Sequence, residues 1–581
     1  MPLKLPYNYL YVKILIFRIF NSIVIRTYFA PDEYWQGSEI SHFDVFNYGY
    51  KTWEWTIDNP IRSPLYNLPV SLAFYICKYF QIDHVFIIRL IPKLFGAVYA
   101  TLFDIFSIKF FILFYSGVQK IQVRNAKKII SQIMRNTRNM NQEIDNQLKL
   151  EELNQQMNLN QPKLKKLLQL IVFIHICDWF SLFAMPRNII NAFEAMIFAI
   201  NLFYWEKYNQ EKQEKYHIIS RFFATLNFIV RPTSIIPQIF IMSHPFFKAI
   251  FTKNRDYKKI AKILFINIFN LIIMVFSAAL IDSLYYNKLV ITTYNFLQFN
   301  YIQDMANLYG TQNFFWYFTQ GLPYLLMGLF PFFIAGIYKL LKLKQFSYIY
   351  YLFASILFIS TQSHKEDRFL LPFFPIIFAI TAFGLEKIFK NKLVKSIIII
   401  TNIPLFIFMG FLHNRASIPI MEDFTQRIDI YNNLQQKNQI QLDPQQKILQ
   451  QKLENLENNI NLNDNNKINA YFFTECHQTP HQSFLHQQNI QLNFPDCSPQ
   501  FRGKGSESEQ LFENPAEFIQ NVIFQQKPVF IILYSNFLED EKVLQILSMY
   551  TEVSRRFHAL FMETPKGNIS DVSFVLMEKQ F

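Results

Sequence analysis

The sequence predicts an all-α bundle of membrane-spanning helices followed by a small mixed α/β domain at the C-terminal end. Three observations lead there. Of 581 residues, 51% are hydrophobic and only 17% are charged. The apolar residues fall in blocks long enough to cross a hydrocarbon core, which takes about 20 helical residues. The last third changes character, with short β-rich runs set in polar sequence.

Spans are read near 9–29, 86–115, 167–185, 188–205, 263–282, 317–341, 346–362, 369–386 and 396–413, with a shorter hairpin at 218–247. Counting the hairpin twice gives roughly eleven crossings. The first span holds Arg18 and Arg26 and no small-residue cleavage site follows it, so it reads as a retained anchor and not as a removed signal peptide. Lys and Arg collect at 119–166 and again at 207–215, 248–262, 339–344 and 387–395, which places those loops in the cytoplasm. The loops 30–85, 283–316 and 363–368 and the tail then face the lumen. The expected division is a membrane domain over 1–413 and a lumenal domain over 414–581.

The net charge of +13 does not point to nucleic acid, because most basic groups flank spans, where anionic lipid and the insertion rule account for them. Segments 134–161 and 432–466 are rich in Asn and Gln and cannot bury enough apolar surface to offset chain ordering, so they read as disordered or loosely helical inserts. Beyond the second insert, 469–473 and 528–534 look like strands, with turn-rich sequence around Cys476 to Pro499. Cys77 and Cys177 lie in apolar runs. Cys476 and Cys497 share the tail, where an oxidising lumen would permit a bridge.

Chemistry is concentrated in the predicted lumenal loops. The first opens with the adjacent carboxylates Asp32 and Glu33, and a membrane rim is dry enough to raise a carboxyl pKa while staying open to substrate. An interfacial cap with belt aromatics is the plainer alternative. The same loop continues through Trp35, Gln36, Glu39, His42, Trp53, Glu54 and Arg62, a mixture suited to stacking on sugars and reading hydroxyls. The second concentration is His364, Lys365, Glu366, Asp367 and Arg368 between two spans, where Lys365 and Arg368 could hold a phosphate. Its alternative is a short solvated turn of self-paired charges. Arg231, in the turn Arg231-Pro232-Thr233-Ser234, and Asp282 with Ser283 and Tyr285 are weaker polar points. The sequence shows no HExxH, CxxC, Walker or GxGxxG pattern, which argues against zinc proteolysis, thiol redox and nucleotide-driven chemistry.

The segment from Thr27 to Trp55, the triplet Ile61 to Ser63 and the run His364 to Pro375 (HKEDRFLLPFFP) closely resemble glycosyltransferase family 22, the dolichyl-phosphate-mannose-dependent mannosyltransferases of the endoplasmic reticulum. Pro186 to Ala195, Ile229 to Ser234, Ile281 to Asn300 and Leu308 to Pro323 look like further blocks of that family. The tail block Thr474 to His486, with Cys497, resembles the branch that extends the glycosylphosphatidylinositol (GPI) precursor, although Thr474 and Glu475 stand where that branch favours an apolar-Pro pair.

The resemblance implies a glycosyltransferase of the C superfamily, with the active site on the lumenal side of the endoplasmic reticulum membrane. It implies dolichyl-phosphate mannose as donor, a lipid-linked acceptor, no cofactor and no metal. Asp32 is then the expected base with Glu33 as substitute. Lys365, Arg368, Arg231 and His364 would bind the donor phosphate. Trp35, Gln36, Glu39, His42, Trp53, Glu54, Arg62 and Glu366 would line the substrate site. The alternatives are a relative acting on the dolichol-linked N-glycan precursor, a transporter, for which no internal repeat is found, and a non-catalytic lipid-binding protein.

Overall fold

A computed structural model describes residues 8–136, 161–250, 257–441, 467–564 and 567–580. Most of the two Asn/Gln-rich inserts lies outside the described residues; helices reach Asn136 and Gln441 at their edges and resume at Gln161. The described chain forms two compact units. The first comprises 1–24, 54–66 and 93–406; the second comprises 25–53, 67–92 and 407–581.

Each span read from the sequence falls on helical structure. Five stretches are long and apolar enough to cross a membrane: Val85–Asn125, Ile260–Tyr286, Tyr317–Lys342, Asp367–Leu385 and Lys392–Leu412. The other predicted spans are the helices Asn8–Val24, Gln161–Cys177, Ile190–Glu211, Glu214–Val230, Ile235–Ile250 and Ser347–Ile359, which are shorter or carry more charge.

In the first unit, Phe330–Lys342 packs closely against Phe374–Leu385. A Cβ on Gly336 would fall 1.9 Å from the Ile380 carbonyl oxygen, and one on Gly384 2.0 Å from that of Phe332. Only glycine permits this backbone approach. Arg18 does not reach out to lipid headgroups. It is fully buried, with Nε 2.7 Å and Nη2 2.9 Å from the carboxylate of Asp104, which also meets His175 Nδ1 at 2.8 Å. A charge at membrane depth is tolerated when it is paired in this way.

The second unit is built on a five-stranded sheet of order β2-β1-β3-β5-β4, with β1 Ile468–Phe473, β2 Ile490–Asn493, β3 Phe530–Tyr534, β4 Tyr550–Thr564 and β5 Gly567–Lys579. β1 runs parallel to β2 and β3, and β5 runs antiparallel to β3 and β4. The two strand-like runs of the sequence are β1 and β3. Both are buried on both faces by helices that include Pro419–Gln441 and Pro515–Gln526, through residues such as Phe424 and Ile519. That double coverage explains why they read as continuous apolar runs. A disulfide joins Cys476 to Cys497.

Candidate functional site

In the first unit, the helix Glu214–Val230 stops because Pro232 follows, and proline drives the residue before it out of helical geometry. Arg231 is accordingly extended, at φ −147° and ψ 115°. Its side chain lines a cleft of about 670 Å³ together with Glu194, Phe296, Tyr301, Tyr317 and His364. The Arg231 guanidinium lies over the Phe369 ring at 4.8 Å, bonds Thr233 Oγ1 at 3.1 Å and stands 3.6 Å from Glu194. Arg62 and Arg368 lie near enough for their charges to act on it.

Each of these arginines has its own carboxylate. Glu54 holds Arg62 at 2.7 Å, and Glu366 holds Arg368 at 2.6 Å while also meeting His364 Nε2 at 3.0 Å. Burial pushes the Glu366 carboxyl up, but the Arg368 charge and the His364 hydrogen bond outweigh it and keep the acid well below its usual range. For His364, burial pulls downward, and the bond and charge of Glu366 more than compensate, so its pKa is raised. Lys365 is placed differently. Its ammonium donates to the carbonyls of Gln362 at 2.5 Å and Gln312 at 3.2 Å, and burial lowers its pKa. Asp282 accepts from Thr292 and so fastens the end of its helix.

The carboxylates Asp32 and Glu33 belong to the second unit. Pro31 starts a turn in which Trp35 N–H donates to the Pro31 carbonyl at 3.0 Å, continuing into a π-helical turn at Tyr34–Ser38 and the helix Glu39–Phe46. Both carboxylates are half-buried, and Glu33 accepts from Phe29 N–H at 3.3 Å.

The neighbours of this segment come from the tail. Tyr28 O–H donates to the His477 carbonyl, Trp35 Nε1 to that of Thr479 at 3.0 Å, and Arg89 to that of Phe484 at 2.7 Å. Glu39 Oε1 accepts from His481 N–H at 2.7 Å, Ser483 N–H at 3.2 Å and Ser483 Oγ at 2.6 Å. His42 Nε2 lies 2.8 Å from His486 Nδ1, which also meets Tyr48 O–H at 3.0 Å. The Trp35 ring packs on His477 at 4.3 Å and His481 at 4.7 Å. Burial raises the Glu39 pKa and lowers those of His477, to about 4, and of His42, to about 3.

Trp35, Glu39 and His42 are thus joined to the tail block 477–486, while Gln36 is buried and Trp53 half-buried. Sequence reasoning missed Glu194 and Arg89, whose partners stand far away in the chain. A carboxylate inside an apolar helix was the available signal for Glu194. Cys476, His477 and Cys497 place potential metal-ligand atoms within 4.8 Å of one another, but both sulfurs are spent in the disulfide and offer no thiolate.

The sequence profile of the Alg9-like mannosyltransferase family matches residues 9–486. The GPI alpha-1,2-mannosyltransferase 3 of Bos taurus is 26% identical over 567 residues, covering 96% of this chain and 88% of the relative. That of Homo sapiens is 26% identical over 579 residues, with 98% and 87% covered. Mannosyltransferase APTG1 of Arabidopsis thaliana is 25% identical over 582 residues, with 94% and 88% covered. Among solved structures, ArnT from Cupriavidus metallidurans in the apo state superposes with a TM-score of 0.52 at 10% identity, covering 98% of both chains, a likeness of fold.

Proposed function

Because the chain belongs to the Alg9-like mannosyltransferase family, we propose that this multi-pass membrane enzyme is an α-1,2-mannosyltransferase that adds the third mannose to the GPI-anchor precursor in the lumen of the endoplasmic reticulum. One observation carries the choice of acceptor. Relatives that bear this activity in their name match 94–98% of the chain, including the tail block that holds the Asp32 segment.

The donor is dolichyl-phosphate mannose. Its β-linked phosphate and the α-linked product require inversion, which one in-line attack achieves with a single base and no covalent sugar–enzyme intermediate. Asp32 takes the proton from the acceptor 2-hydroxyl. Glu33, held by Phe29 N–H, is the second choice. As the bond to phosphate breaks, negative charge grows on the departing lipid phosphate, so donors fixed in advance are the main catalytic asset. Arg231 and His364, which line the cleft, fill that role, with Arg368 held on Glu366. Lys365 shapes the loop through its two carbonyl contacts. The scheme calls on no metal or other cofactor.

The test is transfer of labelled mannose from dolichyl-phosphate mannose to a dimannosyl GPI acceptor, in microsomes lacking the host enzyme. Wild type is expected to form product, Asp32→Ala none, and Glu33→Ala a reduced amount. A well-expressed wild type that ignores this acceptor and extends the dolichol-linked N-glycan precursor would overturn the GPI assignment while leaving the family chemistry intact.

A further inference from the structure

We propose that Asn568 is a site of N-linked glycosylation. Asparagine recurs throughout the 581 residues, yet Asn568-Ile569-Ser570 is the one place where it is followed by any residue but proline and then by Ser or Thr. That triplet is the acceptor sequence for an oligosaccharide in a lumenal or secreted segment.

The fold puts the triplet where a bulky modification fits. β5 is bordered by β3 only over Phe574–Glu578, so among the described residues its first part pairs with β4 alone. Asn568 sits opposite Glu563 in that two-stranded part, one pair in from Thr564 and Gly567, and Ser570 sits opposite Phe561. Asn568 and Ser570 are both exposed, whereas the buried part of β5 begins at Val572. A glycan there displaces no core contact. It would also shield Leu560 and Phe561, which are 51% and 60% exposed on the facing strand.

The Cys476–Cys497 disulfide of the same unit supports the compartment, since such bonds persist where the surroundings are oxidising. In the reaction, Asn568 Nδ2 forms a bond to C1 of the first sugar of a lipid-diphosphate-linked oligosaccharide. The bond from C1 to the phosphate oxygen breaks, the lipid diphosphate leaves with the electron pair, and the amide gives up one proton. A membrane-bound oligosaccharyltransferase of the host catalyses the step.

The inference rests on the lumenal placement of the tail, and the experiment separates the two. The full chain is expressed in a cell that N-glycosylates its secretory proteins, and its mobility is compared before and after an amidase that removes N-glycans. Wild type and Ser570→Thr are expected to shift by one step, and Asn568→Gln and Ser570→Ala not at all. The control Lys504→Asn completes Asn-Gly-Ser with Gly505 and Ser506 at another exposed position of the tail, and should shift by a second step. A shift in the control from residue 504 alone would overturn Asn568 and keep the lumenal tail. No shift in any variant would overturn both.

Discussion

His364 in the first unit and His42 in the second both stand beside acidic segments, yet their surroundings drive the two imidazoles in opposite directions. His364 meets Glu366 and is pushed toward the charged form. His42 is fully buried against His486, and both burial and that second imidazole hold it neutral, with a pKa of about 3. The first region sets Arg62, Arg231 and Arg368 each beside its own carboxylate. The second uses ionisable residues as hydrogen-bonding joints between a loop and a tail. The same residue types line a cleft in one place and join a loop to a tail in the other, and the partner decides which charge state each holds.

Arg231→Ala breaks this contrast most severely. It removes the cation from the cleft and leaves Glu194 buried without it, and mannose transfer should fall by about 10²–10³-fold, with far-UV circular dichroism unchanged. An activity within a few fold of wild type would show that the cleft is not where the phosphate leaves.

Glu39→Ala should act on stability first. Two backbone N–H groups and the Ser483 hydroxyl lose their acceptor, at a cost of about 1–3 kcal/mol for each buried donor left unmade. The thermal midpoint of purified protein should drop markedly, with activity falling in parallel. An unchanged midpoint would mean that the tail is held without Glu39.

The smallest effect, and the sharpest discriminator, is pH. A histidine whose folded pKa is depressed contributes stability that is present above its unfolded value, near 6.5, and is lost as pH falls toward the folded one. His42 and His477, at about 3 and about 4, should each withdraw up to about 1.4 kcal/mol per pH unit of acidification. His364 has the opposite sign. Its raised pKa gives stability that is fully present below about 6.5 and fades as pH rises through the folded value. Amide hydrogen exchange, expressed as protection relative to the intrinsic rate at each pH, should therefore lose protection at 477–486 and gain or hold it at 363–368 as pH falls from about 7.5 to about 5.5. Parallel responses would erase the distinction between the regions.

Much of this was legible in the sequence wherever the signal is local. Apolar blocks gave the helices, because burial within a bundle or a bilayer demands contiguous hydrophobicity. β1 and β3 were visible for the same reason. β4 was not, since Glu552, Arg555 and Arg556 stud an edge strand that remains largely in solvent. Candidate site residues were chosen by type, and their partners in space were not foreseen. Nothing near Glu39 in the chain announces Ser483, and nothing near Arg231 announces Glu194. Lys365 shows the limit most plainly, because its neighbours in sequence suggest an anion and its neighbours in space are carbonyls.

The joint between Trp35 and Thr479 spans 444 residues of chain, and that separation also sets a schedule. A ribosome adding about 5–20 residues per second needs roughly 20–90 s to travel from one partner to the other. Throughout that interval Glu39 has no His481 to accept from, and Trp35 has no histidine to pack on. The segment carrying Asp32 is thus among the first parts of the protein to be made and among the last to find its neighbours. A message cut short before codon 474 would still encode all five apolar stretches, yet leave that segment without the tail contacts that hold it.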